Sequence, residues 1–151
     1  IMKKKHESCH IIILYKDRFL LQKRDGNKKI HFPGFWGLFG GKINKKEKAT
    51  SAIQREIYEE TNLNKIYPQK KLKFIIEGKQ VFLRREITYF VCKLRNYPKN
   101  LKIYEGIKFG FFKFHEIKKL KINPFDFAAI SFHYYNNIKK QKIIPRIYPL
   151  K

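Results

Sequence analysis

The chain has 151 residues, enough for one domain whose hydrophobic core needs no disulfide or metal staple. A hydrophobic fraction of 43% and an aromatic fraction of 16% exclude a disordered segment, and no apolar run approaches the roughly 18 residues of a membrane span. The formal charge is +23, from 35 Lys and Arg against 12 Asp and Glu. Such a field draws polyanions. A chain rich at once in Lys, Ile, Asn, Phe and Tyr also carries the mark of an A/T-rich coding sequence, so the charge has two open explanations.

In chain order, "CHIIILY" (9–15) is β-branched and apolar and predicts a buried strand. The charged residues before it do not make a signal peptide, because the apolar stretch is too short. "HESCH" (6–10) matches the letters of HExxH, a zinc motif that works on a helix. Along a strand His6 and His10 stand about 13 Å apart, too far to share a zinc ion. Cys9 and Cys92 belong to no CxxC pair, so neither a zinc site nor a disulfide is expected, and a reducing cytoplasm is the default setting. Lys16-Asp17 signals a turn, and "RFLLQKR" a second strand ending near Arg24. "DGNKK" is a loop. "FPGFWGLFGGK" (32–42) has too much glycine for a regular element and too many aromatics for a free loop. Residues 48 to 61 predict a helix. "KLKFIIE" (71–77) and "VFLRREITYFVCKL" (81–94) predict a hairpin across Gly78 and Lys79. "IKFGFFKF" (107–114) is another strand, "HEIKKL" (115–120) one or two helical turns, and "PFDFAAISFHYYNNIKK" (124–140) a helix opened by Pro124. The basic tail from about residue 140 is expected to lie on the surface or move freely. Strands come in runs rather than in βαβ alternation, which predicts an α+β fold with a mixed sheet, one domain spanning 1–151.

The helix at 48–61 holds Glu56, Glu59 and Glu60 within five positions of an otherwise basic chain. At about 100° per residue, Glu59 and Glu60 lie roughly 60° and 40° either side of Glu56, on the arc that carries Ala49, Ala52, Ile53 and Ile57. Gln54 and Tyr58 point outward. Glu56 and Glu60 are like charges at i, i+4, which repel even in water and more strongly beside an apolar face. A solvated charged face, with Arg55 pairing with Glu59, would leave that repulsion in place. A bound hard cation would remove it, since Mg²⁺ takes carboxylate oxygens and shares them with substrate phosphates. Gly40 and Gly41, just before the helix, would let backbone approach a ligand closely.

Gly41, Glu47, Arg55-Glu56-Ile57, Glu59-Glu60 and Asn62-Leu63 resemble the Nudix box, G-x5-E-x7-R-E-U-x-E-E-x-G-U with U a bulky aliphatic. The spacing is complete and every charged position is filled. The resemblance implies an α/β/α sandwich with a mixed sheet, and Mg²⁺-dependent hydrolysis of a nucleoside diphosphate derivative, with Mn²⁺ as a substitute. Glu59 and Glu60 then look like metal ligands, Glu56 like a further ligand or the base that activates water, and Gly40 like a carbonyl ligand. Arg55 and Glu47 look like an orienting ion pair. Glu105, in "YEG", resembles an additional acid of MutT-type members, for metal or base, and is otherwise an ordinary loop acid. Arg24 and Lys42 suit phosphate contacts or are solvated. Trp36 with Phe35, Phe32 and Phe39 would stack a base or fill the core; Asp126 would read a purine edge or simply favour its helix N-terminus. A nucleotide-type polyanion is the expected partner, no membrane is, and the sequence is silent on oligomeric state. An RNA 5′-end pyrophosphohydrolase and a non-catalytic nucleotide- or nucleic-acid-binding module are the alternatives.

Three departures stand out. Asn62 replaces the usual glycine and is expected to take the left-handed conformation that ends the helix. Lys46 and Lys48 replace a frequent Gly and a frequent Ser or Thr, the second removing a helix cap. Phe39 replaces a frequent proline.

Overall fold

A computed structural model describes residues 4–27, 29–77 and 83–140. The turn expected at Gly78 and Lys79, and the tail from residue 141, lie outside the described residues.

Seven strands form one mixed sheet. The spine is β1 (Lys4–Tyr15), which pairs along its full length, in parallel, with β6 (Leu83–Leu94). On its other side two strands share it, both antiparallel: β2 (Arg18–Lys23) meets its C-terminal end, and β4 (Phe39–Lys42) pairs with Ser8–Ile11. The two-residue β3 (Trp36–Gly37) and β7 (Lys108–Lys113) extend the sheet from β2. At the far edge β5 (Gln69–Glu77) pairs antiparallel with β6, the expected hairpin partners. Because β2 pairs with the C-terminal end of β1 and β4 with Ser8–Ile11, the sheet branches there, and a site can form beside the branch.

Strand alternation sends successive side chains to opposite faces, and β1 shows it plainly. Cys9, Ile11 and Ile13 face α1 (Ala49–Glu60), where they pack with Leu20, Phe39, Ala52, Ile53, Ile57 and Phe90. Ile12 and Leu14 face the other way, with Ile87, Tyr89 and Val91 of β6, against α2 (Phe114–Ile117) and α3 (Pro124–His133). The result is two cores either side of one sheet, the expected α/β/α layering. Pro124 occupies the first turn of α3, and the Asn123 side chain caps it by accepting from Phe125 N and Asp126 N. The helix expected to run to 140 changes after His133 to a wider π turn over Tyr134–Ile138.

"FPGFWGLFGGK" contains two short strands rather than none. Gly40 carries φ +146, and a Cβ there would lie 2.1 Å from the Cys9 carbonyl oxygen. Only glycine lets β4 come this close to β1, so its close approach is to backbone of the sheet. At the helix end the expectation for Asn62 fails. Thr61 closes α1 in extended conformation and bridges to Ile103. Asn62 has no positive φ; its side chain instead donates to the Asn100 carbonyl at 2.8 Å and accepts from Lys102 N at 2.7 Å. The sheet-like pairing of the following segment takes over what a left-handed cap would have done. Lys48 behaves as expected, with no side-chain cap on the helix.

Candidate active site

A cavity of about 900 Å³ opens where the sheet branches, between β1, β4, α1, the 24–35 loop and the first turn of α3. Six of the chain's twelve acidic residues line it: Glu7, Asp25, Glu56, Glu60, Glu105 and Asp126. Among the described residues only Arg24, Lys42 and Arg85 supply Lys or Arg to its wall. In a chain of charge +23, this cavity concentrates negative charge.

Glu60 is buried, 4% exposed. One of its oxygens accepts the Gly40 N–H at 3.0 Å. Burial pushes the Glu60 carboxyl up to about 8; Glu105 and Glu56 add to the rise, while the Gly40 N–H and Arg24 oppose it. The 104–106 loop is held beside it, since Tyr104 N donates to the Glu60 carbonyl at 2.8 Å. Gly106 (φ +77) lets this loop close on β2, where a Cβ would lie 2.8 Å from the Lys23 carbonyl oxygen.

Glu56 is positioned by charge and by a missing side chain. Arg55 Nη1 donates to its Oε1 at 2.7 Å. A Cβ on Gly41 would lie 2.6 Å from its Oε2, so the bare Gly41 is the cradle for this carboxylate. Arg55 is in turn anchored by Glu47, at 2.8 Å through Nε and 3.1 Å through Nη2, and by the Lys42 carbonyl at 3.0 Å. That guanidinium, and then the Asn44 N–H, hold Glu47 below the ordinary carboxylate range. The ion pair read from the box is therefore formed, and it orients Glu56.

Other expected residues sit differently. Glu59 does not share the inward face: its side chain is 52% exposed and pairs with Arg55 at 3.3 Å. The helix turns just far enough at this position for the side chain to reach solvent. Trp36 stands away from the cavity; its ring packs on Phe112 with centroids 5.0 Å apart, under Lys108. Phe39 is wholly buried in the α1-side core, and Phe32 alone of the four aromatics lines the cavity. Asp126 is 2% exposed at the cavity floor; it accepts Leu38 N and the Tyr89 hydroxyl, each at 2.9 Å. Asp126 thus ties α3 to β4's approach and to β6, besides sitting in the helix's first turn.

His6, Ser8 and His10 also line the cavity, as alternate residues of β1. The strand assignment rightly set HExxH aside, yet the same period of two puts both histidines on the cavity wall. His10 Nδ1 is buried 3.6 Å from Asp126 Oδ1. Alternation along a strand whose other face is apolar was the signal that could have found them.

The donors gathered here are hard oxygens, the chemistry that suits Mg²⁺ or Mn²⁺. A desolvated carboxylate facing two others, one of them in a glycine cradle, fits such an ion. Among the described residues no three His, Cys, Asp or Glu side chains already converge at coordination distance. Arg55 instead neutralises Glu56 and Glu59. The two cysteines are free and buried, and burial pushes the Cys9 thiol up to about 12, away from reactivity. No helix among the described residues is long and apolar enough to cross a membrane.

Comparison with known proteins agrees with this geometry. A search of curated protein sequences gives no match. Among solved structures, a MutT protein from Methanosarcina mazei Go1 is similar at TM-score 0.68 and 23% identity, over 93% of this chain and 99% of that one. The E. coli dihydroneopterin triphosphate pyrophosphohydrolase gives TM-score 0.68 and 19% identity, over 86% and 95%. A bifunctional NMN adenylyltransferase/ADP ribose pyrophosphatase from Francisella tularensis, complexed with AMP and a Mn ion, gives TM-score 0.65 and 19% identity, over 89% of this chain and 42% of that one. The family model described as NUDIX domain matches residues 4–133. With a box whose charged positions are all filled, a mixed sheet with helices on both faces and that match over most of its length, the chain belongs to the NUDIX domain family.

Proposed function

We propose that this protein hydrolyses a diphosphate linkage in a nucleoside diphosphate derivative, with Mg²⁺ as its metal and Mn²⁺ able to replace it. The observation that carries the reading is the cavity's charge: half of the chain's acids line it, with Glu60 desolvated against Glu56 and Glu105. A protein that only bound nucleotides would gain nothing from carboxylates that repel its ligand. The Mn ion in the Francisella structure supports the same metal class.

Glu60, with the Gly40 carbonyl, would hold the metal, Glu59 would join them on leaving Arg55, and of Glu56 and Glu105 one would be a further ligand and the other the base. Bound there, the ion would neutralise charge on the phosphate oxygens and polarise phosphorus toward attack. The remaining work falls to the chain. Arg24 and Lys42, on the cavity wall, would bind phosphate oxygens that the metal leaves free. Arg55, braced by Glu47, holds Glu56 Oε1 and leaves Oε2 to take a proton from the attacking water; Glu105 is the other candidate for that proton. Water's oxygen ends on phosphorus, the bridging oxygen leaves with the other phosphate, and the carboxyl later gives up its proton to solvent. Asp126 and Phe32 would face the base. A reducing cytoplasm, consistent with two free buried thiols, is the proposed setting.

The test is hydrolysis of nucleoside triphosphates, sugar nucleotides, dinucleoside polyphosphates and 5′-triphosphorylated RNA with Mg²⁺, with Mn²⁺ and with chelator, in ¹⁸O-water. Metal-dependent turnover with ¹⁸O in a phosphate product is expected. No turnover of any diphosphate with either metal would overturn the reading.

A further inference from the structure

A second, smaller pocket of about 330 Å³ lies on the α2 side of the molecule, lined by Phe114, His115, Lys118, Tyr134, Tyr135 and Lys139. Its charge is the reverse of the first cavity's. Three basic side chains rim it, and among the described residues no acidic one lines it. The acid nearest in sequence, Glu116, is already occupied, accepting Lys113 N at 2.6 Å and pairing with Arg18 at 3.5 Å. Lys118 and Lys139 are exposed, and so are Lys119, Lys121 and Lys140 beside them in the chain.

The floor is aromatic. Tyr134 stacks on Phe114 with centroids 4.0 Å apart and planes 16° from parallel, and Tyr135 meets the same ring edge-on at 5.5 Å. Lys118 Nζ lies 5.0 Å from the Phe114 centroid, so an ammonium stands directly over the ring stack. Both tyrosines are half-buried, each leaving part of its surface to the pocket. They come from the π turn, which departs from the α3 helix where that helix would otherwise have carried them on around its axis. Among the described residues, none of the large hydrophobics exposed at the surface lines the pocket.

We propose that this lysine-rimmed aromatic pocket binds single-stranded nucleic acid, a base entering against the tyrosines and the flanking phosphates meeting Lys118 and Lys139. Stacking on aromatic faces combined with cationic tracking of the backbone is the chemistry that holds single strands without reading sequence. The site is separate from the NUDIX cavity and does not depend on the activity proposed for it. The two lie at opposite ends of one helix: Asp126 is at the first cavity and Tyr134 at the second pocket, about 12 Å along the axis at about 1.5 Å per residue.

The experiment is fluorescence anisotropy of a short labelled oligouridylate across a salt series, with an abasic strand of equal length and phosphatidylserine vesicles as competitors. The variants are K118E/K139E, Tyr134→Leu, which removes the ring and leaves an apolar side chain against Phe114, and K45E/K99E, which makes the same charge change on exposed lysines elsewhere. K118E/K139E is expected to bind at least about tenfold more weakly, with a salt slope shallower by about 1.4, since a single strand contributes about 0.7 per phosphate neutralised. Tyr134→Leu is expected to weaken the oligouridylate and not the abasic strand. K45E/K99E is expected to bind within about twofold of wild type. Turnover of a small nucleotide should be unchanged in all three. Equal loss in K118E/K139E and K45E/K99E would reduce the effect to net charge and overturn the proposal. So would an abasic strand that binds as well as the oligouridylate, or vesicles that displace the RNA and lose affinity with the same variants.

Discussion

At the scale of single residues, Glu59 and Glu60 are neighbours with opposite surroundings, and substitution should separate them. Glu60 is desolvated and crowded by acids, so in chelator Glu60→Gln should raise the melting temperature. Glu59 is exposed and paired with Arg55, so Glu59→Gln should leave it unchanged or slightly lower. With metal, Glu60→Gln should lose turnover by at least about 100-fold, because the proposed metal ligand loses its charge. The Glu60 pKa, raised in the fold to about 8, fixes the sign of its pH dependence. The folded protein keeps a proton that the unfolded chain releases near pH 4.5, so metal-free stability falls as pH rises from there to about 8. Melting curves in chelator across that range should show the fall in wild type and its absence in Glu60→Gln. Lys46 offers a simpler case. It sits at φ +65, a left-handed conformation that a Cβ makes costly, at a position where the resembled box often has glycine. Lys46→Gly should stabilise by roughly 0.5–1 kcal/mol in denaturant titration, and Lys46→Ala should not.

At the scale of elements, β4 and α1 build the site between them, and the two glycines of β4 do different jobs. A methyl on Gly40 would strike backbone of β1, which cannot move without breaking the sheet. A methyl on Gly41 would strike only the end of the Glu56 side chain, which can swing aside. Gly40→Ala should therefore cost several kcal/mol, of the order of the larger core-overpacking penalties, or prevent folding. Gly41→Ala should melt near wild type yet lose turnover, because Glu56 has been moved from its cradle. Circular dichroism melts beside rate measurements decide both; equal loss of stability in the two variants would contradict this division. These strands were unreadable beforehand because the glycines that permit the close approach are also the residues that argue against a regular element.

At the scale of the whole molecule, charge is sorted by location. Outside the cavity most acids are paired, Glu47 and Glu59 with Arg55, Glu116 with Arg18, and Glu86 with Arg84, Lys5 and Lys73. Glu86 is buried like Glu60 but titrates in the opposite sense, held down to about 2 chiefly by Arg84. Its contribution to stability is present above about pH 4.5 and is lost as pH falls toward 2. Glu86→Gln should thus destabilise at neutral pH and converge with wild type in acid, the mirror image of Glu60→Gln. The two glutamates differ because Arg84, Lys5 and Lys73 pair with Glu86, whereas Glu60 is desolvated and in addition faces acids. The box, the strand alternation of β1 and β6 and the amphipathic arc of α1 were legible in the sequence, because each is a local pattern of fixed period or spacing. So were the acids to suspect and the family to which they belong. What the tertiary structure alone decided is which of them meet: that Trp36 packs away from the cavity, that Asn62 pairs with a distant segment, and that the π turn sets two tyrosines over a lysine rim. Each of these depends on contacts between residues far apart in the chain, and packing and charge pairing at such range leave no periodic trace in the sequence.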